Sequence, residues 1–209
     1  TGNTVVDALT TVADSDPRIE NDTLRAVVEG PRRLVLLTAH RRESFGAPIR
    51  EVFSAVRTLA DEHEDIEIVY PVHPNPNVLE PAREMLSAHP RIHLTEPVGY
   101  FDLISALKAA SLILTDSGGI QEEAPTFGTP VLVLREVTER PEGVEAGAAE
   151  LVGTDRELIV RRARAILAAP LTRGNAVNPY GDGRAGARIA DIVVSDLLGR
   201  PRTTEDWHA

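Results

Sequence analysis

The sequence predicts an α/β fold built on a doubly wound parallel sheet. Three observations predict it. Short, mostly apolar runs recur along the chain, each run gives way to a stretch with helical hydrophobic spacing, and polar loops follow the ends of the runs. Runs of that length read as buried strands and the spaced stretches as amphipathic helices. Strand–helix alternation joins parallel strands by right-handed crossovers and covers both sheet faces with helices. The result is a Rossmann-like domain, whose ligands sit at the carboxyl ends of the strands.

The first assigned element is the run LVLLT at 34–38, a strand. Residues 48–63 follow as a helix, with Ile49, Val52, Phe53, Val56 and Leu59 on one face. The run IEIVY at 66–70 is the second strand, followed by a helix over 78–88. A third, shorter strand spans 91–94, and 102–110 is helical. The run LILT at 112–115 is the fourth strand, with a helix over 119–127 after it. Strands five and six are 130–134 and 149–152, and the last two helices are 156–168 and 184–198. The segment 172–184, rich in Gly, Asn and Pro, reads as a loop. One domain over 1–199 is expected, with a mobile polar tail at 200–209.

Composition narrows the function. A chain of 209 residues with 42% hydrophobic and 26% charged residues can bury a full core. The formal net charge of -10 argues against general nucleic-acid binding, which needs a basic face to displace counterions. It leaves room for a small anion held by a few local groups. Lys108 is the only lysine among the 22 basic residues, which gives Schiff-base chemistry little scope. The chain has no cysteine, so disulfides, thiolate catalysis and Cys-ligated metals are excluded. No run is long enough to span a membrane and no signal peptide is visible, so a cytoplasmic setting is expected. The chain opens at Thr1 without a Met and reads as a piece of a longer protein.

Four polar loops fall on one predicted sheet edge: 39–43 after strand one, 71–75 after strand two, 116–119 after strand four and 135–140 after strand five. In the run TDSGGIQEE at 115–123, Gly118 and Gly119 let backbone approach a ligand closely. The unpaired N–H groups of a helix start suit a phosphate there, and Ser117 adds a hydroxyl. Glu123, one turn further on, is placed to accept hydrogen bonds from ribose hydroxyls. A plain structural role fits the same residues, with Ser117 as an N-cap, the glycines as a tight turn and Glu122 and Glu123 favourable near a helix start. The pattern is not the dinucleotide Gly-x-Gly-x-x-Gly, so NAD is not suggested.

His40, Arg41 and Arg42 together suit a diphosphate, since Arg pairs bidentately with phosphate oxygens and His donates or shuttles a proton. Alternatively Arg41, Arg42 and Glu43 are a solvated surface group and His40 packs under the loop. His73 sits in a loop stiffened by Pro74 and Pro76 that points it toward the same edge or packs it locally. Arg140 follows strand five, either as a counter-charge for a ligand or as part of a solvated, charged loop. His89 and His93 straddle Pro90 and do not share a helical face, so no metal site is expected. No Ser-His-Asp triad is assignable.

Taken in order, these loops resemble the non-hydrolysing UDP-N-acetylglucosamine 2-epimerases. The matching pieces are TAHRRESFG at 38–46, YPVHPNPN at 70–77, LTDSGGIQEEAP at 114–125, TERPEG at 138–143 and NPYGDGR at 178–184, with TGNT at 1–4 similar to the segment just after that family's first domain. The resemblance implies a GT-B arrangement of two Rossmann-like domains with the substrate between them, of which this chain is the second. It implies that His40 approaches the diphosphate or the reacting sugar, that Ser117, Gly118 and Gly119 cradle the diphosphate, that Glu123 holds the ribose and that Arg140 lines the same site. An activating UDP-sugar site, also known in the family, would be matched by His73 and an arginine of the Arg41–Arg42 pair. The implied reaction inverts C2 of UDP-GlcNAc to give UDP-ManNAc. A base removes the C2 proton as UDP leaves, and a glycal then takes UDP back, with no redox cofactor. The family's acid and base near C2 lie in its first domain, so this chain alone is expected to be inactive. Family members are commonly homodimers. Val98 and Leu103 stand where some members carry Gln and Phe, and Asn75 where many carry Leu. Two other reactions fit the same fold, a hydrolysing epimerase that releases ManNAc and a glycosyltransferase, as does a UDP-sugar-binding module without chemistry.

Overall fold

The computed structural model describes residues 1–15, 17–170 and 178–208. Among them six strands form one wholly parallel sheet: β1 (Arg33–Thr38), β2 (Ile66–Pro71), β3 (Ile92–Thr95), β4 (Leu112–Thr115), β5 (Val131–Val133) and β6 (Ala149–Leu151). Their order is β3-β2-β1-β4-β5-β6. The chain therefore runs outward from β1 to β3, then returns to the other side of β1 with β4. The strand order reverses there, and a crevice opens at the carboxyl ends of β1 and β4. The register pairs Thr38 with Thr115 at that point, and their hydroxyls lie 2.6 Å apart.

Burial on both faces follows from the apolar runs. Val35 and Leu37 face one core with Ile49, Phe53 and Val56, while Leu34 and Leu36 face the other with Leu24 and Ala106. In β4, Leu112 and Leu114 join the first core and Ile113 the second. Each such side chain contributes about 1.5–3 kcal/mol when fully buried. The first core is roofed by α3 (Ala47–Glu62), α4 (Pro76–Leu86) and α8 (Arg156–Ala168), and the second by α2 (Asp22–Val28), α5 (Tyr100–Ala109) and α6 (Gly118–Glu123). The remaining helices are α1 (Thr4–Asp14), α7 (Pro141–Glu145) and α9 (Ala185–Leu198).

Several boundaries differ from expectation for local reasons. The helix expected from residue 78 begins at Pro76, where proline suits a first turn and Asn75 Oδ1 accepts from Asn77 N at 3.0 Å. The helix expected over 119–127 is α-helical only to Glu123 and becomes a 3-10 turn over Ala124–Phe127. Pro125 has no N–H to continue the α-helical ladder. Two helices, α1 and α2, precede the first assigned element. α1 is rich in β-branched Val and Thr, yet Asn3 caps it and Val6 and Leu9 are buried. Of the loop expected over 172–184, residues 172–177 lie outside the described residues, and 178–184 is irregular.

The two ends of the chain meet. Asp7 on α1 accepts the amides of Ala185 and Gly186 at 3.0 and 2.8 Å. Arg188 on α9 is buried, pairs with Asp182, and donates to the carbonyls of Thr1 and Glu205 at 3.2 and 2.8 Å. Its guanidinium also lies 5.9 Å from the Trp207 ring centroid. Asp191 accepts from both the amide and the hydroxyl of Thr203 and of Thr204. Residues 203–205 of the tail thus fold back on α9. Among the described residues no helix is long and apolar enough to cross a membrane.

Candidate functional site

The loop after β1 is set by a buried carboxylate. Asp116, the first residue past β4, is 1% exposed, and its Oδ2 accepts from the amides of His40 and Arg41, each at 2.7 Å. Tyr70, at the end of β2, donates its hydroxyl to the carbonyl of Ala39 at 2.5 Å. Burial pushes the Tyr70 phenol well above its ordinary range, so it stays a donor. Thr115 Oγ1 accepts the amide of Ser117 at 3.0 Å. Three strand ends thereby fix the backbone on either side of the crevice.

His40 emerges from this frame partly exposed, stacked on His73 with ring centroids 5.7 Å apart and 13° between planes. His73 is itself fixed, its Nδ1 accepting from the amide of Asn75 at 3.1 Å. Beside the pair is a cavity of about 220 Å³ lined by His40, His73, Pro97, Val98, Leu103 and Ser117. Val98 and Leu103 are thus on its wall, where their apolar side chains offer packing and no hydrogen bonds.

Ser117 occupies the N-cap position of α6 but its side chain makes no capping bond. The hydroxyl is not used in the structural role open to it. Gly118 and Gly119 are not in the left-handed region either. A Cβ on Gly118 would meet Arg41 Nη2 at 3.6 Å and Arg140 Nη2 at 3.9 Å, and one on Gly119 would meet Ser117 Oγ at 3.8 Å. These are ordinary contacts, so neither backbone conformation nor crowding demands glycine. What Gly118 leaves is a bare patch flanked by two guanidinium groups, with Gly119 beside the Ser117 hydroxyl. Arg42, by contrast, is exposed in the 3-10 turn Arg42–Ser44, and of the two neighbouring arginines only Arg41 borders that patch.

Glu123 is 9% exposed at the end of α6. Burial, with the charge of Glu122 adding to it, pushes its carboxyl up to about 7. Its neighbour Glu122 pairs with Arg140 through Oε1 and accepts from Asn3 Nδ2 at 2.8 Å through Oε2. Arg140 is held along its backbone as well: its amide donates to Thr138 Oγ1 at 3.1 Å, and Thr138 donates to Gln121 Oε1 at 2.6 Å. The Tyr180 hydroxyl accepts from Gly143 N at 3.0 Å and donates to the Arg140 carbonyl at 3.3 Å. Further along the edge, Arg135 joins Glu43 to Glu139 and holds the Glu139 carboxyl down at about 2. The residue pair at 89 and 93 is not brought together: His89 faces Asp61 at 3.3 Å and His93 faces Glu67 at 2.7 Å.

The structure therefore gathers His40, Arg41, His73, Ser117, Gly118, Gly119 and Arg140 along one sheet edge, with Glu123 buried at the other end of α6. Sequence reasoning gave no role to Asp116, Tyr180 or Asn3, which aim these groups. An Asp directly after a buried strand was the one visible signal, for Asp116.

Fold and site together define a doubly wound Rossmann-like domain with a crevice at its switch point, where Gly118 lies between Arg41 and Arg140. The chain belongs to the UDP-N-acetylglucosamine 2-epimerase family, whose model matches residues 1–194. The UDP-N-acetylglucosamine 2-epimerase of Bacillus subtilis is 48% identical over 198 residues, covering 93% of this chain and 51% of the relative. The S. aureus MnaA–UDP structure superposes with a TM-score of 0.90 at 42% identity, over 100% of this chain and 57% of that one. The Neisseria meningitidis UDP-GlcNAc 2-epimerase bound to UDP-GlcNAc gives 0.81 at 38% identity, over 96% and 55%. The chain thus spans about half the length of the relatives it matches.

Proposed function

We propose that this chain is the UDP-binding half of an enzyme that interconverts UDP-GlcNAc and UDP-ManNAc, the second domain of a GT-B pair. The observation that carries the reading is Gly118 between Arg41 and Arg140 at the start of α6, where neither a positive φ nor crowding calls for glycine. Two guanidinium groups match the charge of a diphosphate, and each pairs bidentately with phosphate oxygens. In this reading the Ser117 hydroxyl and the first amides of α6 complete the cradle, and Glu123 takes the ribose hydroxyls. The uracil enters the cavity walled by Val98 and Leu103.

The chemistry is elimination and re-addition. A base outside this chain removes the C2 proton while UDP departs. The cradle stabilises the charge that develops on the diphosphate, which is where electrostatic preorganisation lowers the barrier. His40 faces the departing group. Return of UDP to the glycal with a proton delivered to the other face of C2 gives the epimer. The His40–His73 stack supports a second, activating UDP-sugar position reached by His73 and Arg41, and Arg42 is exposed beside it. A missing first domain, a homodimer and a cytoplasmic location complete the proposal.

Titration of the chain with UDP by calorimetry tests it. Binding is expected, and Glu123→Ala should weaken it at least about 10-fold, since hydrogen bonds to a charged group contribute about 1.5–3 kcal/mol. Equal affinity in the two proteins would remove Glu123 from the site. Once the chain is joined to its first domain, UDP-ManNAc as product supports epimerisation. Free ManNAc would indicate the hydrolysing reaction.

A further inference from the structure

The fold treats the two oxygens of Asp116 differently. Oδ2 accepts the two amides of His40 and Arg41, whereas Oδ1 is buried and has no hydrogen-bond partner among the described residues. The His40 Nδ1 lies 3.3 Å from that Oδ1, close but not aligned as a hydrogen bond. A buried acceptor left unsatisfied is destabilising, and more so when it carries charge. A small rotation of the imidazole relieves that cost, provided Nδ1 carries the proton. With Nδ1 bare, two acceptors would face each other. One face of the ring stacks on His73, and the backbone amide of His40 is held by the same carboxylate.

We propose that Asp116 is a positioning residue for His40. Its Oδ1 selects the Nδ1–H form of the imidazole and leaves Nε2 as the nitrogen that serves the ligand. The inference rests on the reading of His40 as the group that faces the departing diphosphate. The tautomer itself can be read without any ligand. Asp116 fixes the two backbone amides that place the histidine and also the proton that decides what its far nitrogen can do, so one buried side chain sets both position and chemistry.

The test is the nitrogen-resolved spectrum of the histidine rings in the 209-residue chain at about pH 8.5, where an ordinary imidazole is neutral. His40 is assigned by the signals that vanish in His40→Gln. In the native chain the proton is expected on Nδ1. In Asp116→Asn the amide oxygen still accepts the two backbone amides and its NH₂ turns toward His40. The protonated and bare nitrogen signals should then exchange places. A native His40 protonated at Nε2, or a folded Asp116→Asn chain with an unchanged tautomer, overturns the proposal. If Asp116→Asn does not fold, the native tautomer alone decides. UDP titration of the same samples keeps the two readings apart: a native chain with Nδ1–H that ignores UDP sinks the nucleotide site and leaves the Asp116–His40 relationship standing.

Discussion

Arg140 is ion-paired with Glu122, so the cation beside Gly118 is aimed by a carboxylate of the same helix that carries Gly118. Asn3 holds the other Glu122 oxygen, which ties the first turn of the chain into the same arrangement.

Removing that cation should weaken diphosphate binding. Arg140→Ala is expected to lower UDP affinity by about 10- to 100-fold, the scale of charge-assisted hydrogen bonds. Uridine, which lacks the phosphates, should lose almost nothing. Calorimetric titrations of both ligands check it, and equal losses for both would remove Arg140 from the diphosphate.

Glu123 gives a pH dependence with a definite sign. Its carboxyl is raised from the ordinary glutamate value of 4.5 to about 7 by burial and by Glu122. The folded state therefore favours the protonated form. Its contribution to stability is full below about 4.5 and is lost as pH rises through about 7. Glu123→Gln carries no charge to bury. It should melt with the native protein at low pH and above it at pH 8, by on the order of 1–3 kcal/mol. Thermal melts across that window measure the gap, and curves that stay parallel would refute the assignment.

UDP should read the same group. Ribose hydroxyls donate to an ionised carboxylate, so affinity is expected to rise between about pH 6 and 8, with a proton released on binding. Calorimetry in buffers of different ionisation enthalpy counts that proton. Glu123→Gln should shrink both effects to what the terminal phosphate of UDP supplies, whose second pKa is about 6.

Gly143 is a packing test of the site's support. A Cβ there would lie 2.7 Å from the Tyr180 hydroxyl oxygen. Gly143→Ala should displace Tyr180 from the Arg140 carbonyl and cost about 1–3 kcal/mol, the range for overpacking. Tyr180→Phe, which removes the hydroxyl without crowding, should cost less. A melting temperature for Gly143→Ala at or above that of the native chain would contradict this.

The 209-residue chain alone should convert no UDP-GlcNAc, even under conditions where the proposed UDP titration reports binding. Product analysis by chromatography checks this, and robust formation of UDP-ManNAc would refute it.

The strands were legible because a strand buried on both faces is apolar at nearly every position, as in Leu34 to Leu37. The site edge was legible because strand ends carry the polar loops. α1 was not, since Val5, Val6, Val12 and three threonines favour extended backbone, and its burial against α5, α6 and α9 overrides that preference. Nor could spacing reveal Asp116, whose partners His40 and Arg41 are 76 and 75 residues away. Tyr180 reaches Arg140 across 40 residues in the same way. Sequence motifs picked out the groups expected to meet a ligand, and only the fold showed which groups hold them.

The clamp made by Arg188 on Thr1 and Glu205 has an architectural consequence. One side chain on α9 thus staples residues 1 and 205 together, so the strands of the sheet are laid down between two segments that lie side by side.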